Sequence, residues 1–292
     1  MSAMGFSSGE QSPVVMSYGD FQKLAQPAAP CTIMYGADPL QHVELWTPAG
    51  RGPFPVVIVI HGGCWQTAIA KADIMHRVAQ ALASRGVAAW NVEYRGIDVA
   101  GGGYPGTFED VGAAADMVGT RANQYNLDPQ SVVAVGHSAG AHLALWLAGR
   151  GRIEADSPLR AEYPQRLRGV VALGGLHDLE EARTQAADAC GSDTVDRLVG
   201  PVTAKHPDPF GDTSPVSLLP LGIPQVLISG SADAIAPPQF AGDYAGKAVA
   251  RRDKLTARTI EGQGHFELIT PGTTAGDAAI DAVLALVQTK RR

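Results

Sequence analysis

No apolar stretch in this chain approaches the ~20 residues a bilayer-spanning helix requires, and even Val56 to Ile60 is cut off by His61, Gly62 and Gly63. Charge is scarce too: charged residues make up 18%, and the formal net charge is -6. There is no run of five or more like charges, and the basic end Lys290, Arg291, Arg292 is too short to act as one. This excludes the electrostatic footprint of a nucleic-acid binder and gives no attraction to an anionic polymer or membrane. A neutral or small substrate fits better. The start, Met1 to Gln11, lacks a basic region followed by an apolar one, so a cytoplasmic location is expected.

Cysteine is sparse. Cys31, Cys64 and Cys190 are odd in number and widely spaced, with no CxxC and no histidine at metal-ligand spacing. They are expected to be reduced thiols, Cys64 a small buried bystander, and neither a metal nor an organic cofactor is implied. What the chain has in quantity is apolar residues, 45% of 292, and glycine, 34 in all. A single domain of this size buries roughly 75% of the surface its unfolded form exposes.

Short β-branched runs alternate with helical patterns, the signature of a mostly parallel sheet with helices on both faces. Strands are expected at His42 to Trp46, Pro55 to Ile60, Val87 to Glu93, Val132 to Val135, Gly169 to Leu173, Gln225 to Ser229 and Ala257 to Glu261, in a sheet of about eight. Helices are expected at Ala72 to Arg85, Phe108 to Tyr125, Ala139 to Ala148 and Thr274 to Gln288. Three stretches escape the alternation: residues 1–39, a predicted N-terminal flap; the Gly- and Pro-rich 96–107; and 177–221, a predicted cap or lid within a catalytic domain spanning 40–292.

Gly136, His137, Ser138, Ala139, Gly140 is a GxSxG between a β-branched strand and a helix, the context of a nucleophile elbow. A serine hydroxyl needs a positioned base. Among eight histidines, His265 lies in the loop between the last strand and the final helix, where it can reach back over the carboxyl edge of the sheet. Asp233, after the strand Gln225 to Ser229, completes the chain order Ser, Asp, His, with Asp178 its competitor. Glycines in His61-Gly62-Gly63-Cys64-Trp65 free backbone N–H groups to face a developing oxyanion, with Gly63, Cys64 and Ala139 as donors and His61 as a brace. His137 and His142 are packing or polar-contact residues, with His137 also at the substrate pocket.

On these marks the chain resembles the kynurenine formamidase and carboxylesterase branch of the α/β-hydrolases. The resemblance spans most of the sequence and is carried by Tyr35-Gly36 with Leu45 and Pro48, the HGGxW at His61 to Trp65, Tyr94-Arg95, Phe108 with Asp110, the elbow at Ser138, Asp233, and Gly264-His265-Phe266. The hormone-sensitive-lipase type has HGGG; here Cys64 and Trp65 stand instead. The resemblance implies an α/β-hydrolase fold, hydrolysis of an acyl bond, and Trp65 as one wall of the substrate pocket. The expected function is cleavage of a small carboxylic ester by a Ser-His-Asp triad. Arylformamidase activity on an N-formylkynurenine-type amide is the alternative, and a non-catalytic binding protein on a hydrolase fold a third. A small-molecule ester or amide is then the expected partner, with no nucleic acid and no membrane, and with room for a homodimer.

Overall fold

Val56, Ile58 and Ile60 face one core and Val57 and Val59 another, and all five are fully buried. A strand covered on both faces reads as a continuous apolar run, without alternation. This is β3 (Phe54–Ile60) in a computed structural model that describes residues 15–289. The other strands are β1 (Thr32–Met34), β2 (His42–Trp46), β4 (Ala88–Val92), β5 (Leu127–His137), β6 (Val170–Leu173), β7 (Gln225–Gly230) and β8 (Leu255–Ile260). They form one eight-stranded sheet in the order β1-β2-β4-β3-β5-β6-β7-β8. β2 runs antiparallel to both β1 and β4, and every other neighbouring pair is parallel. The fold is the mostly parallel sheet of an α/β-hydrolase.

The helices are α1 (Tyr18–Gln22), α2 (His76–Ala83), α3 (Gly106–Tyr125), α4 (Ala139–Gly149), α5 (Leu179–Gln185), α6 (Ala187–Cys190), α7 (Thr194–Val199), α8 (Pro238–Ala250) and α9 (Thr274–Gln288). The buried faces of α3, α4 and α8 pack with the 177–221 segment on one side of the sheet, while α2, α9 and Phe21 of α1 cover the other. α4 is apolar all round because sheet, α3 and the 177–221 segment enclose it. No helix among the described residues is long and apolar enough to cross a membrane.

The expected strands and helices are present, with shifted ends, and the differences fall where periodicity is weak. β5 runs on to Leu127 through Pro129, a strand beginning that a β-branched count passes over. The segment 177–221 carries α5, α6 and α7, each too short to show a helical period. α8 was not foreseen; it follows the Asp233 loop and starts on Pro238. Residues 1–14 of the expected flap, and Lys290 to Arg292, lie outside the described residues. The rest of that flap is not free of the sheet: β1 pairs with β2, and Phe21 is buried.

Arg95 and Asp110 form a two-toothed ion pair at 2.8 and 2.7 Å, to which Gln41 adds a hydrogen bond. It fastens the 96–107 loop to the start of α3 and to the turn before β2.

Candidate active site

Ser138 joins β5 to α4 with φ 55° and ψ -122°, a conformation a non-glycine residue holds only where its surroundings dictate it. Those surroundings explain both glycines of the motif. A Cβ on Gly136 would fall 1.9 Å from the Gly140 carbonyl oxygen, and one on Gly140 would fall 2.2 Å from that of Ile60. Strand and helix can approach this closely only without side chains at those two positions. The Ser138 amide donates to Leu173 O at 2.8 Å, tying the elbow to β6.

His265 follows β8 and Asp233 follows β7, so parallel pairing of these strands brings both loops to the carboxyl edge of the sheet. His265 Nδ1 lies 2.7 Å from Asp233 Oδ2, and Asp233 Oδ1 accepts from the amides of Ile235 and Ala236 at 2.9 and 2.8 Å. The carboxylate is thus held from both oxygens, with its side chain sealed from solvent. Beside it, Gly174 has φ +50°, and a Cβ there would lie 3.0 Å from Asp233 Oδ2 and 3.2 Å from His265 Nδ1. His137 is buried beneath, with Nε2 3.1 Å from the His265 carbonyl oxygen. Burial, reinforced by the neighbouring His265, holds its pKa well below the ordinary value, so it is neutral and can donate Nε2–H to that carbonyl.

The loop after β3 is the second conformationally demanding segment. Gly63, Cys64 and Trp65 have φ of 101°, 52° and 55° in succession. Among the described residues, the amides of Gly63, Cys64 and Ala139 have no hydrogen-bond acceptor. Behind the loop, β3–β4 register sets Ile60 beside Val92, so His61 and Glu93 meet just past the strand ends. His61 Nε2 lies 3.0 Å from Glu93 Oε1, and Glu93 also accepts from the amides of Tyr94 and Ala72, each at 2.9 Å. Tyr94 stacks on the imidazole at 4.3 Å and donates its hydroxyl to His61 O. Burial alone would raise the Glu93 pKa, but His61 and these amides outweigh it and hold the carboxyl below its ordinary 4.5.

Ser138 and His265 open onto one cavity of about 160 Å³, walled mainly by Tyr18, Ile69, Ala70, Ile74, Ile235 and Phe266. Among the described residues that line it, none is Asp, Glu, Lys or Arg. Among the described residues, no group of three or more His, Cys, Asp or Glu is placed to hold a metal ion.

This arrangement coincides with a match to the family model BD-FAE over residues 43–246, most of the sheet and the elbow. The chain belongs to the BD-FAE family of α/β-hydrolases. Among relatives, Esterase LipC of Mycobacterium tuberculosis (strain ATCC 25618 / H37Rv) is 28% identical over 268 residues, covering 89% of this chain and 65% of LipC. The versiconal hemiacetal acetate esterase of Dothistroma septosporum (strain NZE10 / CBS 128990) is 34% identical over 126 residues, 42% of this chain and 35% of that protein. The chain therefore spans less than two thirds of either relative's length. A solved carbohydrate esterase from gut microbiota, in truncated form, superposes with a TM-score of 0.73 at 20% identity, over 90% of this chain and 98% of that one. At that identity the likeness is one of fold.

The residues singled out from sequence are sorted by the tertiary structure. Ser138, Asp233 and His265 converge, Gly63 and Cys64 line the same cavity, and Ala139 opens α4 beside it. His137 reaches the cavity as well as propping the histidine loop. Asp178 is engaged elsewhere: it caps the N-terminus of α5 and pairs with Lys247 at 2.6 Å. Two expectations are corrected. Trp65 is not a pocket wall, because its left-handed backbone turns the indole into the core, where it is 0% exposed and donates to His142 Nδ1 at 3.1 Å. Cys64 and Cys190 are not reduced thiols but a disulfide spanning 126 residues of sequence, and Cys31 alone is free. Spacing in the sequence carries no trace of a contact between the loop after β3 and the end of α6.

Gly174, Glu93 and Tyr18 were missed. Gly174-Gly175 directly after β6 is a signal that could have found the first, and the near symmetry of His61 and Glu93 after neighbouring strands the second. Tyr18 lies on a five-residue helix with no periodic pattern.

Two outcomes follow from these contacts. Gly174→Ala places a side chain at positive φ, costing roughly 1–2 kcal/mol, and crowds the Asp233–His265 contact; kcat should fall on the order of tenfold to a hundredfold. Wild-type kcat in a destabilised Gly174→Ala protein, read beside its melting curve, would remove Gly174 from the site. A carboxyl held below its unfolded value stabilises the fold above that value and loses this contribution as pH falls through the folded one. The melting temperature should therefore drop as pH is taken from neutral to below 4.5. In Glu93→Gln the same pH series should start from a lower melting temperature and slope less; an equal slope would show that Glu93 is not a source of the acid sensitivity.

Proposed function

We propose that this chain is a serine hydrolase that cleaves a small, uncharged carboxylic ester through an acyl-Ser138 intermediate. The observation that carries the proposal is the convergence, on one apolar cavity, of a serine at a forced elbow and a histidine hydrogen-bonded to a buried aspartate. With its Nδ1–H donated to Asp233, His265 has Nε2 free to take the Ser138 proton as Oγ attacks the ester carbonyl. Asp233 then stabilises the imidazolium that forms. The carbonyl oxygen becomes an oxyanion facing the unengaged amides of Gly63, Cys64 and Ala139. Collapse of this intermediate expels the alcohol, which leaves with the proton from His265. Water, activated by the same base, then releases the acid and restores the serine.

The esterase names of LipC and the Dothistroma protein support the bond class. The size and lining of the cavity support a short neutral acyl group, since a charged one would lose its hydration with no opposite charge to meet it. The 177–221 segment acts as the cap, contributing Ala189 to the rim.

Fluorophosphonate labelling tests the nucleophile: wild-type protein should be labelled, and Ser138→Ala should not be. Turnover of a short p-nitrophenyl ester by Ser138→Ala should fall on the order of 10⁶-fold, and substantial residual hydrolysis would reassign the nucleophile. An N-formyl aryl amide run alongside separates ester from formamide cleavage; the ester should be the faster substrate.

Asp233→Asn should cost on the order of 10⁴-fold in kcat by leaving the imidazole in the wrong tautomer. Asp178→Asn should retain near wild-type kcat and lose about 1 kcal/mol or less of stability from the α5 cap. If both proteins fold and Asp178→Asn is the more damaged in kcat, the acid of the triad is Asp178.

A further inference from the structure

Cys64 and Trp65 both hold positive φ, although neither is glycine. Such a pair persists only where outside contacts over-determine it. For Trp65 the contact is the hydrogen bond to His142 on α4. For Cys64 it is covalent: the bond to Cys190 at the end of α6, in the 177–221 segment. Glycine in place of Cys64 would take the same backbone conformation at lower cost, but it could not be tethered.

The tether joins two parts of the cavity. Cys64 carries one of the unengaged amides beside Ser138, and Ala189, next to Cys190, forms the rim, with its carbonyl oxygen 3.9 Å from the Cys64 sulfur. Gln66 reinforces the same seam, donating to Cys190 O at 3.0 Å, and Thr194 Oγ1 donates to that carbonyl at 2.6 Å. α6 itself is four residues long and has no side-chain cap, so little within it would hold the rim if the seam opened.

We propose that Cys190 is a positioning residue for the proposed hydrolysis: its disulfide to Cys64 fixes the oxyanion loop against the cap rim, so the site is fully assembled only in the oxidised protein. This rests on the serine-hydrolase proposal above. Opening the bond requires a dithiol: two electrons and two protons pass to the protein disulfide, giving the Cys64 and Cys190 thiols, while the dithiol closes to its own disulfide. The Cys64 amide then loses its fixed aim, which lowers kcat, and the rim loses its anchor, which raises KM. Such a bond is stable in an oxidising compartment and opens in a reducing one.

The experiment compares wild-type protein before and after dithiothreitol, with Cys190→Ser as the variant that cannot form the bond. Alkylation under native conditions should count one thiol before reduction and three after. Reduction, like Cys190→Ser, should lower kcat/KM at least about tenfold, short of the 10²–10³-fold that losing an oxyanion donor outright costs. The loss should be shared between kcat and KM and reversed in wild type on reoxidation, while Cys190→Ser should be indifferent to dithiothreitol. Three thiols in the active native protein, or a melting temperature that falls on reduction while kcat and KM stay put, would overturn the proposal. Should Cys190→Ser fail to fold, the wild-type reduction series decides alone. Fluorophosphonate labelling of the oxidised protein separates the two levels. Labelling that does not slow on reduction removes the positioning role and leaves the hydrolase. No labelling of the oxidised form removes the hydrolase and this proposal with it.

Discussion

The rest of the site hangs on the backbone at Ser138. A serine at φ 55° and ψ -122° is unfavourable in isolation, and it is imposed by joining a strand buried from Ser131 to His137 to a helix buried along almost its whole length, with no linker between them. β5 ends at His137 and α4 begins at Ala139, so a single residue turns the chain. The close approaches at Gly136 and Gly140 allow that turn, and the hydrogen bond from the Ser138 amide to Leu173 O holds it. The reward is a hydroxyl presented at the carboxyl edge of the sheet, with α4 and its free N-terminal amide directly behind.

Everything else arrives at that edge because the strands are parallel. β3 delivers the 61–65 loop, β4 the buried Glu93 behind it, β6 Gly174, β7 Asp233 and β8 the loop of His265. The site is crowded enough that two of its supports are defined by what cannot fit: a side chain at Gly174 meets the Asp233–His265 contact, and one at Gly62 comes within 2.8 Å of His137 O. A large share of the polar chemistry is buried. The Glu93–His61 pair is satisfied on all sides by amides and a tyrosine, which makes it a rigid brace and leaves the loop dependent on a carboxylate that acid can neutralise. The 61–65 loop has a second tie, through the Cys64–Cys190 disulfide, to the 177–221 segment, whose own helices are short.

Sequence and structure part company in a regular way. β3 and β6 are legible because burial on both faces writes an unbroken apolar run, β4 and β7 because only one or two polar residues interrupt theirs, and α9 because one buried face writes a helical period. The elbow is legible because its glycines answer a steric demand that is local in sequence. Asp233 and His265 are nearly so: each lies in the loop after a strand, and parallel strands place such loops together. The helices of 177–221 are too short for a period, and α1 and α8 lie in segments whose buried residues are few.

Chain order, the type of the strongly patterned elements and the identity of the residues at strand ends were therefore determined by the sequence alone, because they depend on neighbours a few positions away. Which carboxylate meets His265 was decided by tertiary structure: Asp178 is drawn to the α5 N-terminus and Lys247, and Asp233 is left facing the imidazole. The fate of the HGGxW motif was decided there too. Successive positive φ values turn Trp65 away from the cavity and into the core, and aim Cys64 at a cysteine 126 residues later. A motif specifies which atoms are present; where they point depends on backbone angles that distant packing imposes.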